Sequence, residues 1–341
     1  MSTSSEDKKA RRPTEMRRRE VIAAMSAALV AMSVGRRALG KSLLPATSED
    51  AQEVQRYHRE RKYAQTRYGR IAYVERGRGA AVLLLHGFPL NGFQWRGVMP
   101  RLSSQRRCLA PDFMGLGFTE VASGQSVSPG AQADMLTAFL DSMGIRQVDI
   151  IANDSGGAVA QLFVSKYGAR ARTLLLTNCD VETDSPPESL LPIIDLARGG
   201  LYTELYVRSW LENTALLRSS SDFGRLCYSD PTHPSDAAIV QYLGPLVSSS
   251  ERAALTNEFA ANLAPNPLAG ITESLRRCRV PTRIVWGMSD AIFSTGNIEY
   301  LVSVLPLVTG VRKLPGAKLF FPEELPEVIA EEAMTLWMDQ V

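Results

Sequence analysis

The sequence predicts an α/β fold: a mostly parallel, doubly wound sheet with an inserted helical cap. Three observations carry that expectation. From Tyr63 onward, apolar runs of strand length alternate with stretches of helical spacing. Several of the runs are apolar throughout rather than alternating, as strands covered on both faces must be. The rhythm then breaks between Thr183 and Leu275, where Pro186-Pro187 and helix-like pieces occur without a convincing buried strand. That segment is too long for a loop inside a compact domain, so it reads as a helical cap lying over the carboxyl ends of the strands.

The elements follow in order. Arg70 to Val74 reads as an early strand, Ala81 to Leu85 as a buried one, and Arg107 to Ala110 as a short strand ended by Pro111-Asp112. Gln132 to Met143 has helical spacing and stops at Gly144. Val148 to Ala152 is a strand, Gly157 to Tyr167 a helix closed by Gly168, and Thr173 to Thr177 another buried strand. Thr282 to Gly287 and Val308 to Leu314 complete the strands, and Leu325 to Trp337 forms a terminal amphipathic helix. The expected organisation is residues 1–51 as export signal and linker, 52–182 with 276–341 as the sheet core, and 183–275 as the cap.

Composition narrows the function. The chain has 341 residues, is 45% hydrophobic and carries a formal net charge of only +2. Much of the basic excess lies near the N-terminus, so the body offers no basic field for nucleic acid. No apolar run is long enough for a stable membrane span in the mature chain. Cys108, Cys179, Cys227 and Cys278 are widely spaced with no CxxC pair, which argues against a zinc or redox centre. Buried free thiols are expected, with one disulfide left open if the protein is exported. Neither a metal nor a cofactor is expected, and the partner is a small-molecule substrate. At the N-terminus, Arg17-Arg18-Arg19 precede a short apolar stretch, Val21 to Val34, followed by small residues. This pattern matches an export signal, and Arg18-Arg19-Glu20-Val21-Ile22 resembles a twin-arginine signal. Periplasmic export is the expectation, and a cytoplasmic protein with a polar tail is the alternative.

The chemistry concentrates at Val148-Asp149-Ile150-Ile151-Ala152-Asn153-Asp154-Ser155-Gly156-Gly157. A buried strand, a sharp turn and a glycine-opened helix form the geometry of a nucleophile elbow. Ala152 and Gly156 supply the small flanking residues. In that register the exposed side chain is Asp154, a carboxylate rather than a hydroxyl.

The elbow, the earlier motif Leu85-His86-Gly87-Phe88-Pro89 and the cap make the chain resemble the α/β-hydrolase superfamily from about Tyr63 to the end. The His-Gly-Phe-Pro motif with an aspartate at the elbow is similar to the epoxide hydrolase and haloalkane dehalogenase branch. The resemblance implies that the N–H groups of Phe88 and Ser155 form an oxyanion hole. It also implies that His86 and the Asp112-Phe113-Met114-Gly115-Leu116-Gly117 turn are structural. A carboxylate attacks saturated carbon, so the implied substrate is a small apolar epoxide or halide. Attack gives an ester on Asp154, which water then cleaves.

In the family a histidine activates that water and an acid orients it. Asp290, in Trp286-Gly287-Met288-Ser289-Asp290, is the first candidate acid; Asp180 is the second. The histidine should stand in Pro315-Gly316-Ala317-Lys318-Leu319-Phe320-Phe321-Pro322-Glu323-Glu324, and Leu319 occupies its place. The chain has only three histidines, His58, His86 and His233. Four readings stay open. Another group activates water, from Glu323, Glu324, Lys318 or His233. The alkyl-enzyme is released slowly, or no covalent step occurs. The protein is an impaired relative that binds a small apolar ligand. Or Ser155 is the nucleophile of a serine esterase, with the elbow shifted by one. Trp95, Tyr202 and Tyr206 are candidate substrate contacts, with packing under the loop as the competing reading of Trp95. Tyr202, Tyr206, Tyr228 and Tyr242 are candidate proton donors to an epoxide oxygen.

Overall fold

The computed structural model describes residues 49–220 and 222–338. The stretch read as an export signal lies outside the described residues. Nine strands form one sheet: β1 (Lys62–Thr66), β2 (Gly69–Arg76), β3 (Ala81–Leu85), β4 (Arg107–Pro111), β5 (Glu120–Val121), β6 (Val148–Ala152), β7 (Ala171–Thr177), β8 (Thr282–Gly287) and β9 (Val308–Leu314). Their order is β1-β2-β4-β3-β6-β7-β8-β9, with β5 paired to β2. The first two pairings along this order are antiparallel and the remaining five are parallel. Every residue of β3 and of β6 is buried, which is why both read as unbroken apolar runs. The edge strand β9 instead alternates between half-buried and exposed positions.

The helices of the first half are α1 (Glu49–Glu60), α2 (Val98–Leu102), α3 (Pro129–Ser142) and α4 (Ser155–Tyr167). The start of α3 follows local chemistry: Ser128 Oγ accepts the Ala131 N–H, and Pro129 fills the first turn. Between β7 and β8 run seven short helices: α5 (Leu191–Arg198), α6 (Arg208–Glu212), α7 (Thr214–Leu217), α8 (Phe223–Cys227), α9 (Asp236–Leu243), α10 (Ser250–Ala261) and α11 (Thr272–Arg276). Then come α12 (Gly296–Val304), α13 (Phe321–Glu324) and α14 (Pro326–Met338). Cys108, Cys179, Cys227 and Cys278 are all buried free thiols. Among the described residues, no helix is long and apolar enough to cross a membrane.

Helix α1 begins inside the stretch read as linker, and β1, β5, α2 and α12 were not anticipated. The α1 sequence is almost wholly polar, and its surface is laced by Arg56 with Glu53 and Glu60. Its core anchor is Tyr57, whose ring meets Phe93 edge-on at 5.3 Å. One buried ring in a charged helix leaves no apolar stripe to read. In β1 only Ala64 is buried, so the strand carries little apolar signal either.

Candidate functional site

The centre of the site is set by backbone geometry at the end of β6. Asp154 has φ 56° and ψ −132°, and it is the one non-glycine residue with positive φ among the described residues. Such a conformation costs on the order of 1–3 kcal/mol and persists only where the surroundings impose it. The surroundings are visible. The Asp154 N–H donates to the Asn178 carbonyl at 2.7 Å, tying the turn to the end of β7. A Cβ on Gly156 would lie 2.5 Å from the Leu85 carbonyl oxygen, so only glycine lets α4 pack this close to β3. A Cβ on Gly87 would lie 2.5 Å from Asp154 Oδ2, so that glycine makes room for the carboxylate.

The Phe88 N–H donates to Asp154 Oδ2 at 2.9 Å, and the Ser155 N–H also bonds the carboxylate. These donors sit at the first turn of α4 and in the loop after β3, where the strand ends converge. The loop is held by polar groups that the motifs did not reveal. Gln94 Oε1 accepts the Gly87 N–H at 2.9 Å, and Gln94 Nε2 donates to Asn153 Oδ1 at 2.7 Å. Asn153 Nδ2 in turn donates to Thr177 Oγ1 at 2.7 Å and to the Leu319 carbonyl at 3.1 Å. Asn153 therefore fastens the elbow to β7 and to the Leu319 turn. The available signal was an asparagine at the carboxyl end of an otherwise apolar strand.

His86 is structural. Its Nε2 accepts the Phe113 N–H at 3.0 Å, and Nδ1 lies 2.9 Å from the Gly87 carbonyl oxygen, which it can reach only as a donor. Burial pushes its pKa down to about 4, so the ring stays neutral. Asp112 likewise closes a turn, accepting N–H bonds from Gly92 and Phe118 at 2.9 and 2.8 Å.

Asp154 and Ser155 line a narrow cavity of about 60 Å³ beneath the α5–α8 segment. The walls are mostly apolar, including Phe88, Ile193, Leu263 and Leu319. The polar side chains facing it besides the elbow are Asp180, Tyr202 and Asp222, while Trp210 turns its indole N–H to Asp222 Oδ1 at 2.9 Å. Among the described residues no lysine, arginine or histidine lines it. Burial raises the Asp154 pKa well above the usual carboxylate range and the charge of Asp180 adds to this, while the two N–H donors pull it back. Burial likewise lifts Asp180 to about 7, against the Ser185 hydroxyl on its Oδ1 at 2.8 Å.

Several expected contributors stand elsewhere. Trp95 is fully buried under the loop and does not line the cavity. Tyr206 stands one ring behind Tyr202, with centroids 6.2 Å apart, and does not line it either. Tyr228 and Tyr242 donate to the two oxygens of Glu323 at 2.5 and 2.8 Å, and Arg96 pairs with the same carboxylate. That largely buried cluster is a latch between the loop after β3, the helical segment and α13, so its members are turned away from the cavity. Glu324 accepts the Ser229 and Asp230 N–H groups, Lys318 donates to the Arg225 carbonyl, and His233 faces Asp230 at 3.4 Å. The four groups considered as a replacement base are thus engaged outside the cavity.

Asp290 does not line the cavity. Asn178 Nδ2 donates to its Oδ2 at 2.7 Å and the Ile292 N–H to its Oδ1 at 2.8 Å. Burial lifts its pKa to about 7 against those donors. Leu319, by contrast, does reach the cavity wall. Ser155 opens α4 with its Oγ buried and without a hydrogen-bond partner, so no base stands beside that hydroxyl. The strained turn position belongs to Asp154.

Residues 80–325 match a family model described as the alpha/beta hydrolase fold. Haloalkane dehalogenase 2 of Mycobacterium tuberculosis is 28% identical over 280 residues, covering 81% of this chain and 94% of its own. A soluble epoxide hydrolase of Corynebacterium is 35% identical over 94 residues, 28% of this chain and 32% of its own. Among solved structures, the ligand-free epoxide hydrolase CorEH superimposes with a TM-score of 0.67 at 21% identity, covering 82% of this chain and 99% of that one.

Proposed function

This chain belongs to the α/β-hydrolase family, and on that premise we propose that it hydrolyses a small apolar electrophile through Asp154 as nucleophile, an epoxide in preference to a halide. The observation that carries the reading is Asp154 itself. A carboxylate held at positive φ, on the wall of a mostly apolar cavity and between two backbone N–H donors, is arranged for attack rather than for structure. Attack on a saturated carbon forms an alkyl ester on Asp154. Water then cleaves the ester at Cγ, and the Phe88 and Ser155 N–H groups stabilise the oxyanion formed there.

The preference for an epoxide rests on the cavity's charge. Its titratable side chains are carboxyls, a thiol and a phenol, with no cation among the described residues. Departing halide needs an electropositive cradle, and the one indole facing the cavity has given its N–H to Asp222. An opening epoxide needs a proton, which a protonated carboxyl supplies. The available space favours a compact substrate.

The test is turnover of propylene oxide, with intact-mass analysis after exposure to propylene oxide and bromoethane, for the parent and Asp154→Asn. Turnover or an adduct in the parent, both lost in Asp154→Asn, supports the reading. Tight reversible binding with neither outcome supports a binding protein instead. Ester hydrolysis that survives Asp154→Asn and disappears in Ser155→Ala supports a serine esterase. We also infer export through the twin-arginine route. Cell fractionation with an Arg18→Lys, Arg19→Lys variant tests it, and unchanged distribution contradicts it.

A further inference from the structure

We propose that Asp180 is the proton carrier of this site: it protonates the departing ring oxygen, and the carboxylate thus formed activates water against the Asp154 ester. The proposal rests on the Asp154 reading above. Asp180 follows β7 and lines the same cavity as Asp154, only 7% exposed. After burial, its charge is the strongest influence on Asp154. Ser185 fixes one oxygen, Oδ1, at 2.8 Å. The titratable groups that face it are Asp154 from the elbow, Cys179 before it and Asp184 in the following turn. All are acids, so nothing in that set favours its ionised form, and one proton shared across the Asp154–Asp180 pair is the stable arrangement. The two N–H donors at the elbow stabilise the Asp154 carboxylate, so the reactive arrangement of the pair has the charge on Asp154 and the proton on Asp180.

The other groups on the cavity wall are less suited. Burial pushes the Tyr202 phenol up, which makes it a poorer acid. Asp222 Oδ1 already accepts the Trp210 indole and the Phe223 N–H. Asp180, with a pKa of about 7, is poised to give and take a proton near neutrality.

The cycle balances without any further reactant. Asp154 carboxylate bonds to a ring carbon as the carbon–oxygen bond breaks, and the ring oxygen takes the Asp180 proton. Water then loses a proton to Asp180 while its oxygen bonds to Asp154 Cγ. Collapse breaks the ester bond, and the leaving alkoxide takes the proton back from Asp180, giving a diol. The proton left on Asp154 passes to Asp180, which restores the starting state with one water consumed per epoxide.

The experiment compares the parent, Asp180→Asn, Ser185→Ala and Asp154→Asn with propylene oxide and bromoethane. Asn matches Asp in shape and its carbonyl keeps the Ser185 hydrogen bond, and circular dichroism checks the fold. In the parent, turnover of propylene oxide falls as pH rises through about 7, because Asp180 loses its proton. Asp180→Asn lowers turnover at least ~100-fold and abolishes that alkaline limb. Bromoethane needs no proton to release bromide, so Asp180→Asn still acquires an ethyl group on Asp154 and retains it. Ser185→Ala removes a donor to the charged form and moves the alkaline limb to higher pH. A parental rate and pH profile in Asp180→Asn, with Asp154→Asn inactive, overturns the role of Asp180 and leaves the Asp154 reading standing. A parent that yields neither turnover nor adduct overturns both.

Discussion

The elbow half of this site and its acid–base half have fared differently. At the elbow, every geometric requirement is met: a positive-φ carboxylate, two N–H donors, and glycines where a Cβ would collide with a carbonyl or with the carboxylate itself. In the acid–base half, the expected histidine position carries Leu319, and Asp290 is bonded by Asn178 and a backbone N–H. The elbow is held by backbone and by the Gln94–Asn153 relay, and its tie to the opposite turn is to the Leu319 backbone carbonyl, which any residue there supplies. Elbow geometry and the residue opposite it are therefore separable in this fold, and in the proposal above a second carboxyl on the cavity wall takes over proton transfer.

That separation can be broken at its strongest point first. Asp154→Asn is expected to lower turnover by at least ~10⁴-fold, measured by product formation under single-turnover conditions. Comparable rates would show that the elbow is not the reacting half. Next, Glu323→Ala leaves the largely buried Arg96 with only Asp50, at 3.7 Å, as a carboxylate partner and strips both tyrosine hydroxyls of their acceptor. A loss of about 3–5 kcal/mol in denaturant unfolding is expected. Activity lost with stability intact would instead mark Glu323 as a base.

The comparison sharpens with Leu319→His, which returns an imidazole to the cavity wall. Hydrolysis of the alkyl-enzyme should accelerate about 100-fold and rise with pH as the imidazole loses its proton. Asp290→Asn should then matter only in that background, where the acid has a histidine to orient; an equal effect in both backgrounds would contradict its idleness here. The smallest effect concerns stability. Asp180 and Asp290 stay protonated in the folded chain up to about 7, whereas carboxyls in the unfolded chain ionise near ~4. Between those values the folded state binds more protons, so stability falls as pH rises through that window. In Glu60 the upward push of burial is outweighed by Arg56 and Arg76, so it adds stability as pH rises through a lower window, below the unfolded value. Urea midpoints across pH should decline less steeply in Asp290→Asn than in the parent.

Much of the sheet was legible because its strands are buried on both faces and read as unbroken apolar runs. The elbow was legible because small residues at fixed offsets are a steric demand. Helix α1 and β1 were not, since their few buried side chains, chiefly Tyr57 and Ala64, leave no periodicity. The cavity's composition was not legible either. Tyr202, Asp180 and Asp222 come from separate stretches after β7 and meet only because the helical segment folds back over the elbow. Tyrosines in that segment looked alike in sequence, yet one faces the cavity, one stacks behind it and two serve the Glu323 latch. Asn153, to which no motif assigned a role, fastens the turn to β7 and to the Leu319 turn.

A single turnover of propylene oxide in water enriched with heavy oxygen tests the central claim most directly. If Asp154 forms the ester and water attacks its Cγ, the label enters the peptide containing Asp154 and the first diol released is unlabelled. Label found wholly in the diol, with none in that peptide, would mean that water attacks the substrate directly and that Asp154 never bonds to it.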